Sequence, residues 1–422
     1  MTVLCLDIGS TWTKGALVAE DGGLLGTAQH PTTPPEVLRG IDAVTGALNH
    51  VGPVLACSSA GGGLRLAVVG QERLVSAEAG YRVALSAGAK VVHVSAGRLD
   101  GAGVRELREA RPDLVLLVGG TDGGDESVLV HNARELARVE CPIVLAGNAD
   151  AQPEAARLLA GRTVVRTANV LPDVGELAPG PARAAIRDVF LRHVIGGKGL
   201  SGGTRFRGLV RAVTPDAVLR GVSRLAAQDQ EGAVLVVDVG GATTDVYSAV
   251  STVEGQERAV ALPPDRRTVE GDLGMRWSAP GVVAEALAEK LIDKAEAAVL
   301  QREADARAAD VTWLPDDPAV DHRLAALAAV LAVRRHLRLV DGQLGPRGAG
   351  LLVLSGGVFR HADSTDGVER VLRADPVLRP VLRTAAITVD RDYVLAPAGL
   401  LVDAGRADAA DRLLTSVRVP AT

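Results

Sequence analysis

Leu4-Cys5-Leu6-Asp7-Ile8-Gly9-Ser10-Thr11-Trp12-Thr13-Lys14, near the start of the chain, is answered 231 positions later by Leu235-Val236-Val237-Asp238-Val239-Gly240-Gly241-Ala242-Thr243-Thr244-Asp245. Each stretch is an apolar run long enough for one buried strand, then an aspartate, then a glycine turn rich in hydroxyls, then a second strand-like run. Glycine lets the backbone approach an anion closely, and successive bare N–H groups in a turn form an anion-binding concavity. An aspartate ending a strand can hold a hydrated metal ion, one that prefers oxygen ligands and keeps several waters. Two such hairpins facing one another would grip a nucleoside triphosphate from opposite sides. Lysine occurs only at positions 14, 90, 198, 290 and 294, the remaining positive charge being arginine. A compact ammonium at Lys14 suits point contact with a phosphate oxygen.

Outward from the first turn, residues 3–8, 14–20 and 24–29 read as three strands, the last two joined by Asp21-Gly22-Gly23. A helix at 36–50 and a strand at 53–57 follow, then the polar turn Ser58-Ser59-Ala60-Gly61-Gly62-Gly63. From 64 to 170 buried strands (91–94, 114–118, 143–145, 163–165) alternate with helices (74–88, 101–110, 127–139, 151–160), the pattern of βα units in a parallel sheet. Ligands of such sheets sit beyond the carboxyl ends of the strands. Gly119 to Asp125 and Gly147 to Asp150 are expected there, as ligand contacts or as plain strand-to-helix turns. His93 reads as a core or edge histidine. A helix at 182–195, a loop at 196–204 that only superficially resembles a P-loop, and a helix at 214–228 capped by Thr214 lead to the second turn. Strands at 243–250 and 257–262 then repeat the first meander. Long alanine-rich helices at 281–309 and 319–340 precede a buried strand ending in Ser355-Gly356-Gly357, where paired glycines leave room for a flat base or ribose. A terminal helix spans 397–415.

The chain has 422 residues, too many for one ordinary core, so two or three domains are expected. Aromatic residues are 2% of the chain, so the core must be built from Val, Leu, Ile and Ala. A net charge of −5 argues against a nucleic-acid or anionic-membrane surface. No apolar run reaches the ~18 residues of a spanning helix. The first strand begins within two residues of Met1, leaving no room for a signal peptide. Cys5, Cys57 and Cys141 lack metal-ligand spacing and read as buried thiols of a cytoplasmic protein.

Each glycine motif alone is common among α/β folds, but the ordered set resembles the actin, Hsp70 and sugar kinase superfamily of ATPases. That resemblance implies a two-lobed α/β fold with duplicated ribonuclease-H-like cores and an inserted parallel βα region in the first lobe. Residues 1–63 would begin lobe I, 64–180 form the insertion, and 181–230 complete lobe I with a connecting helix. Residues 231–395 would form lobe II, and the helix within 396–422 would return toward lobe I. Asp7, Gly9, Ser10, Thr11, Thr13 and Lys14 correspond to a first phosphate motif, and Asp238, Gly240, Gly241, Thr243 and Thr244 to a second. Ser355, Gly356 and Gly357 correspond to the adenosine motif. The implied cofactors are ATP and Mg²⁺, the metal held through water by Asp7 and Asp238, with Asp238 or Asp245 orienting the attacking water.

Within the superfamily, Asp7 to Thr11, Ser58 to Leu64, Val118 to Gly124, Ala146-Gly147-Asn148 and Val269-Glu270-Gly271-Asp272-Leu273-Gly274-Met275-Arg276 are similar to the glutamate mutase L (methylaspartate mutase accessory, GlmL) family over essentially the whole chain. What this implies is a slow Mg-dependent ATPase serving as chaperone or reactivating factor for the subunits of an adenosylcobalamin-dependent mutase. The alternative is a small-molecule kinase or hydantoinase-type hydrolase on the same fold, with Asp122, Asp125 or Asp272 as base. An electron-transferring ATPase with an iron–sulfur cluster needs four thiolates, and this chain has three scattered cysteines.

Overall fold

The computed structural model describes residues 2–9, 11–33, 36–59, 64–87, 89–190, 192, 204–228, 232–250, 265–315, 317–340, 344 and 347–418. Ser10, the glycines at 61–63, the loop at 196–203 and the expected strand at 257–262 lie outside the described residues. The chain divides into two compact units. One comprises Met1–Glu20, Leu24–Val218 and Glu254–Arg266, the other Asp21–Gly23, Leu219–Val253 and Arg267–Thr422.

The first unit opens with an antiparallel meander, β1 (Val3–Ile8), β2 (Trp12–Val18) and β3 (Leu24–Pro31). Helix α1 (Val37–Ala47) carries the chain to β4 (Val54–Ser58), which pairs parallel with β1. The insertion then supplies β5 (Arg65–Gly70), α2 (Ser76–Ser86), β6 (Lys90–Ala96), α3 (Gly101–Glu109), β7 (Leu114–Leu117), α4 (Ser127–Leu136), β8 (Ile143–Leu145), α5 (Gln152–Leu158) and β9 (Val164–Arg166). After α6 (Pro179–Val189) and α7 (Thr204–Leu209), β10 (Val210–Val213) pairs parallel with β4 and runs into α8 (Thr214–Gln228).

The insertion is an all-parallel sheet in the order β6-β5-β7-β8-β9. Its inner strands are apolar throughout because both faces are covered. Leu66, Val68, Leu116 and Val118 meet Val83 of α2 and Ile186 of α6, whereas Ala67, Val69, Val115 and Leu117 meet Leu107, Leu129 and Leu136 of α3 and α4. At about 25 cal/mol per Å² of buried apolar area, this two-sided burial is the main force holding the insertion in register. His93 lies on the edge strand β6, where its Nε2 meets Ser95 Oγ at 2.6 Å and burial pulls its pKa down.

The second unit repeats the first plan with β11 (Ala233–Val239), β12 (Thr244–Ala249) and β13 (Asp265–Glu270), then α9 (Ala279–Ala288), α10 (Lys294–Ala309), α11 (Ala319–Leu339), β14 (Ala349–Ser355), α12 (Gly357–Arg360), α13 (Asp366–Ala374), β15 (Ala386–Val389), α14 (Leu395–Asp403), α15 (Ala407–Leu413) and α16 (Thr415–Arg418). Its sheet order, β13-β12-β11-β14-β15, matches strand for strand the β3-β2-β1-β4-β10 order of the first core. The class is α/β with a duplicated core and a parallel insertion, as expected. Helix α11 is buried nearly all round, from Leu324 to Val333, which is why its sequence shows no polar face.

Two helical expectations change. The stretch at 281–309 is two helices, because Lys290 turns to φ 58° and Asp293 caps a fresh start by accepting from Glu296 N–H at 2.8 Å. The terminal helix is likewise divided, at Gly405 with φ 74°.

Candidate functional site

The two glycine turns have the same geometry. In the first, Gly9 N–H donates to Trp12 C=O at 3.0 Å; in the second, Gly240 N–H donates to Thr243 C=O at 2.9 Å. A Cβ at Gly9 would sit 2.8 Å from the Trp12 oxygen, and at Gly240 3.0 Å from the Thr243 oxygen, so the turn closes fully only around glycine. Strand register sets Asp7 opposite Lys14 and Asp238 opposite Asp245.

Asp7 ends β1 with its carboxylate held from two sides. Thr214, the first residue of α8, donates its hydroxyl to Asp7 Oδ1 at 2.6 Å, and Cys57 Sγ approaches the same oxygen at 3.7 Å. Thr214, the expected N-cap of this helix, turns its hydroxyl hydrogen to this carboxylate. Burial, then the charge of Asp7, push the Cys57 thiol well above its ordinary pKa, so it stays protonated and can act as donor. Lys14 Nζ lies 4.0 Å from Asp7 Oδ2. Thr11 is exposed on the turn. Thr13 is fully buried and its hydroxyl meets Thr32 Oγ1 at 3.1 Å, while Thr32 in turn donates to Gly9 C=O at 2.9 Å. That hydroxyl serves the hairpin.

In the second turn the matching Thr244 is equally buried and donates to Leu273 C=O at 3.0 Å. Asp245 is bound by the buried Arg267, whose Nη2 and Nε reach Asp245 Oδ1 at 2.5 and 2.8 Å. Thr243 Oγ1 also donates to Asp245, at 3.4 Å. Gly241 is half-buried beside them.

The row continues along the sheet. Ser355 ends β14 directly across from Asp238, and Gly356 follows with φ 115°. A Cβ there would stand 2.3 Å from Val239 C=O, so the glycine is what lets this turn press against β11. Around Gly357 there is open space. Past β15, Asp390 accepts from Val394 N–H at 2.9 Å and Leu395 N–H at 3.4 Å, anchoring the start of α14. Burial pushes its carboxyl up to about 6 against the pull of those two bonds.

A model of the MutL protein family matches residues 3–417. Protein MutL of Clostridium tetanomorphum is 32% identical over 443 residues, covering 95% of this chain and 96% of the relative. The chain belongs to the MutL family. This is the glutamate mutase L-type family that the motifs resemble. Among solved structures, a ROK family glucokinase from Streptomyces griseus in complex with glucose and AMPPNP aligns over 97% of this chain and 98% of its own, at 14% identity and a TM-score of 0.35. Xylulose kinase from Rhodospirillum rubrum aligns over 98% and 92%, at 17% identity and a TM-score of 0.38. The activator of 2-hydroxyisocaproyl-CoA dehydratase from Clostridium difficile with bound ADPNP aligns over the whole of both chains, at 10% identity and a TM-score of 0.34.

The MutL-family motif at 269–276 gains a structural reason. It is laid on the second glycine turn: Met275 N–H donates to Gly240 C=O at 2.9 Å, Arg276 N–H to Gly241 C=O at 2.8 Å, and Ser278 Oγ to Ala242 C=O at 2.8 Å. Arg335 of α11 steadies the loop from behind by donating to Glu270, Asp272 and Glu285 at 2.7–2.9 Å. In the sequence this stretch is legible as part of the family resemblance, without its place on the second turn. In the insertion, Asn169 Nδ2 donates to Gly120 C=O and Asp122 Oδ1, both at 2.9 Å, and Asn148 Nδ2 to Gly124 C=O at 3.1 Å. The loops at 118–124 and 146–148 are therefore knit to one another. No helix among the described residues is long and apolar enough to cross a membrane.

Proposed function

We propose that the protein is a slow Mg-dependent ATPase acting as an accessory factor that assembles or reactivates an adenosylcobalamin-dependent mutase of the glutamate (methylaspartate) type. The carrying observation is the pair of equivalent turns, each closed by one glycine N–H and each following a strand-ending aspartate. Membership of the MutL family supports the mutase connection.

In this reading the N–H groups and hydroxyls around Gly9, Ser10 and Thr11, and around Gly240, Gly241 and Thr243, bind phosphate oxygens, with Lys14 as the ammonium of the first turn. Ser355, Gly356 and Gly357 support the adenosine. Thr13 and Thr244 brace their hairpins from within. Magnesium, carried on the phosphates, would be met by Asp7 and Asp238 through water, single carboxylates being enough for an ion that keeps its waters; it would neutralise developing phosphoryl charge. Asp238 or Asp245 would orient the attacking water, Asp245 from within its ion pair with Arg267.

The kinase alternative has less support, because its candidate bases are already engaged. Asp122 accepts from Ala149 N–H and Asn169, Asp125 from Ser127 and Gln71, and Asp272 from Arg335. The test is capture of glutamate mutase subunits on the purified chain in ATP, in ADP and without nucleotide. Nucleotide-dependent capture, abolished by Lys14→Ala, is expected. Equal capture in all three conditions, or conversion of a sugar or polyol instead, would replace this reading.

A further inference from the structure

The second glycine turn has a carboxylate where the first has its lysine, and the arginine nearest that carboxylate, Arg267, is buried against it. A different cation stands over the turn. Arg276 is fixed there by its own backbone, through its N–H to Gly241 C=O at 2.8 Å and the neighbouring Met275 N–H to Gly240 C=O at 2.9 Å. Its aliphatic stem crosses the turn so closely that a Cβ added at Gly241 would lie 3.8 Å from Arg276 Cγ.

The guanidinium is held without being used up. Nη1 donates to Met275 C=O at 2.7 Å and Nη2 to Asp321 Oδ2 at 3.0 Å. The other oxygen of Asp321 is taken by Nε of the fully buried Arg307 at 2.5 Å, so the anchoring carboxylate is itself immobilised on α11. Two of the five N–H donors of Arg276 are thus engaged among the described residues, and its side chain keeps about 13% exposure. A partly exposed guanidinium on a rigid carboxylate, beside a turn of the anion-binding kind, is arranged for a phosphoryl group.

We propose that Arg276 binds the terminal phosphoryl group of a nucleoside triphosphate at the second glycine turn, with Asp321 as its positioning residue. The proposal rests on the ATP reading above and adds the residue that distinguishes triphosphate from diphosphate. It uses no geometry outside the second unit.

The test titrates the full-length chain, as wild type, Arg276→Gln and Arg276→Lys, with MgATP and with MgADP by calorimetry, and records a thermal melt of each. Loss of one hydrogen-bonded charge contact predicts ATP binding about 10- to 100-fold weaker in Arg276→Gln. ADP binding should change less than about threefold, and Arg276→Lys should fall between. ATP affinity unchanged in a folded Arg276→Gln protein overturns the proposal. So does an equal loss of ATP and ADP affinity accompanied by a lowered melting temperature, the mark of a purely structural ion pair. Should the Gln variant fail to fold, Arg276→Lys decides alone, since it keeps the charge but loses the Nη2 hydrogen bond to Asp321: undiminished ATP selectivity counts against the proposal and reduced selectivity supports it. If wild type binds no ATP, this proposal and the reading beneath it both fall; if Lys14→Ala abolishes ATP binding while Arg276→Gln does not, only this one does.

Discussion

Lys14 and Asp245 occupy the same place in the two halves of the chain: each stands directly across its hairpin from a strand-ending aspartate, Asp7 in one and Asp238 in the other. The hairpins share their turn hydrogen bond and their buried threonine but differ in the sign of this charge. That difference gives each residue its own expected phenotype.

Replacing Lys14 should affect ligand binding and hardly touch stability. Its Nζ stands 4.0 Å from Asp7 Oδ2, beyond hydrogen-bond distance, so this pair adds little directional stabilisation. Lys14→Ala should therefore melt near the wild-type temperature while binding ATP about 10- to 100-fold more weakly, the loss of one charge-assisted contact. Calorimetric titration beside a thermal melt checks both halves of the expectation.

Replacing Asp245 should do the reverse. Asp245→Ala takes the carboxylate partner from the buried Arg267 guanidinium and leaves it over the Tyr247 ring, which predicts a loss of about 3–5 kcal/mol in urea denaturation. Removing that buried charge as well, in Asp245→Ala with Arg267→Met, should recover most of the loss. A single mutant as stable as wild type would show that water, and not Asp245, satisfies the arginine.

Gly356 and Gly357 adjoin in sequence but should respond differently. Alanine at Gly356 meets both a φ of 115° and the Val239 oxygen, so a cost of at least about 1–3 kcal/mol is expected. Alanine at Gly357 enters open space at a helical position and should leave stability nearly unchanged. If adenosine lies against this pair, nucleotide affinity should nevertheless fall in Gly357→Ala. Chemical denaturation and nucleotide titration of the two variants separate the roles.

Asp390 predicts a pH dependence. Burial raises its folded-state pKa to about 6, above the unfolded value of about 3.9. The folded state therefore binds this proton more tightly, and the group's favourable contribution, full below pH 4, is lost as pH rises through 6. Between pH 7 and pH 5 it should add roughly 1 kcal/mol to stability. Denaturation curves of wild type and Asp390→Asn at the two pH values should differ by that increment; parallel behaviour would exclude the assignment.

Strands β1, β11 and β14 and the two Asp-x-Gly turns were legible because Val, Leu and Ile runs ending in such signals leave few alternatives, whereas β5, β10, β13 and β15 were not placed. The split at Lys290 was hidden because alanine-rich sequence on either side supports helix equally well, although Asp293 followed by Glu296 is a readable start signal. In the site, Thr13 and Thr244 looked like ligand hydroxyls, yet strand alternation turns them inward, where their oxygens complete the hairpins. Partnerships between distant segments left no local trace. Thr214 reaching Asp7, or Met275 and Arg276 docking on Gly240 and Gly241, required coordinates.

Helix α8 is held at its first residue and again at its midpoint. Its first residue donates a hydroxyl to Asp7, and two turns on, a Cβ at Gly221 would lie 2.1 Å from Leu395 C=O, so bare backbone there rests against α14. A helix transmits displacement as a stiff rod. Anything competing for that carboxylate oxygen of Asp7 must therefore either release the rod's first turn or drag it along.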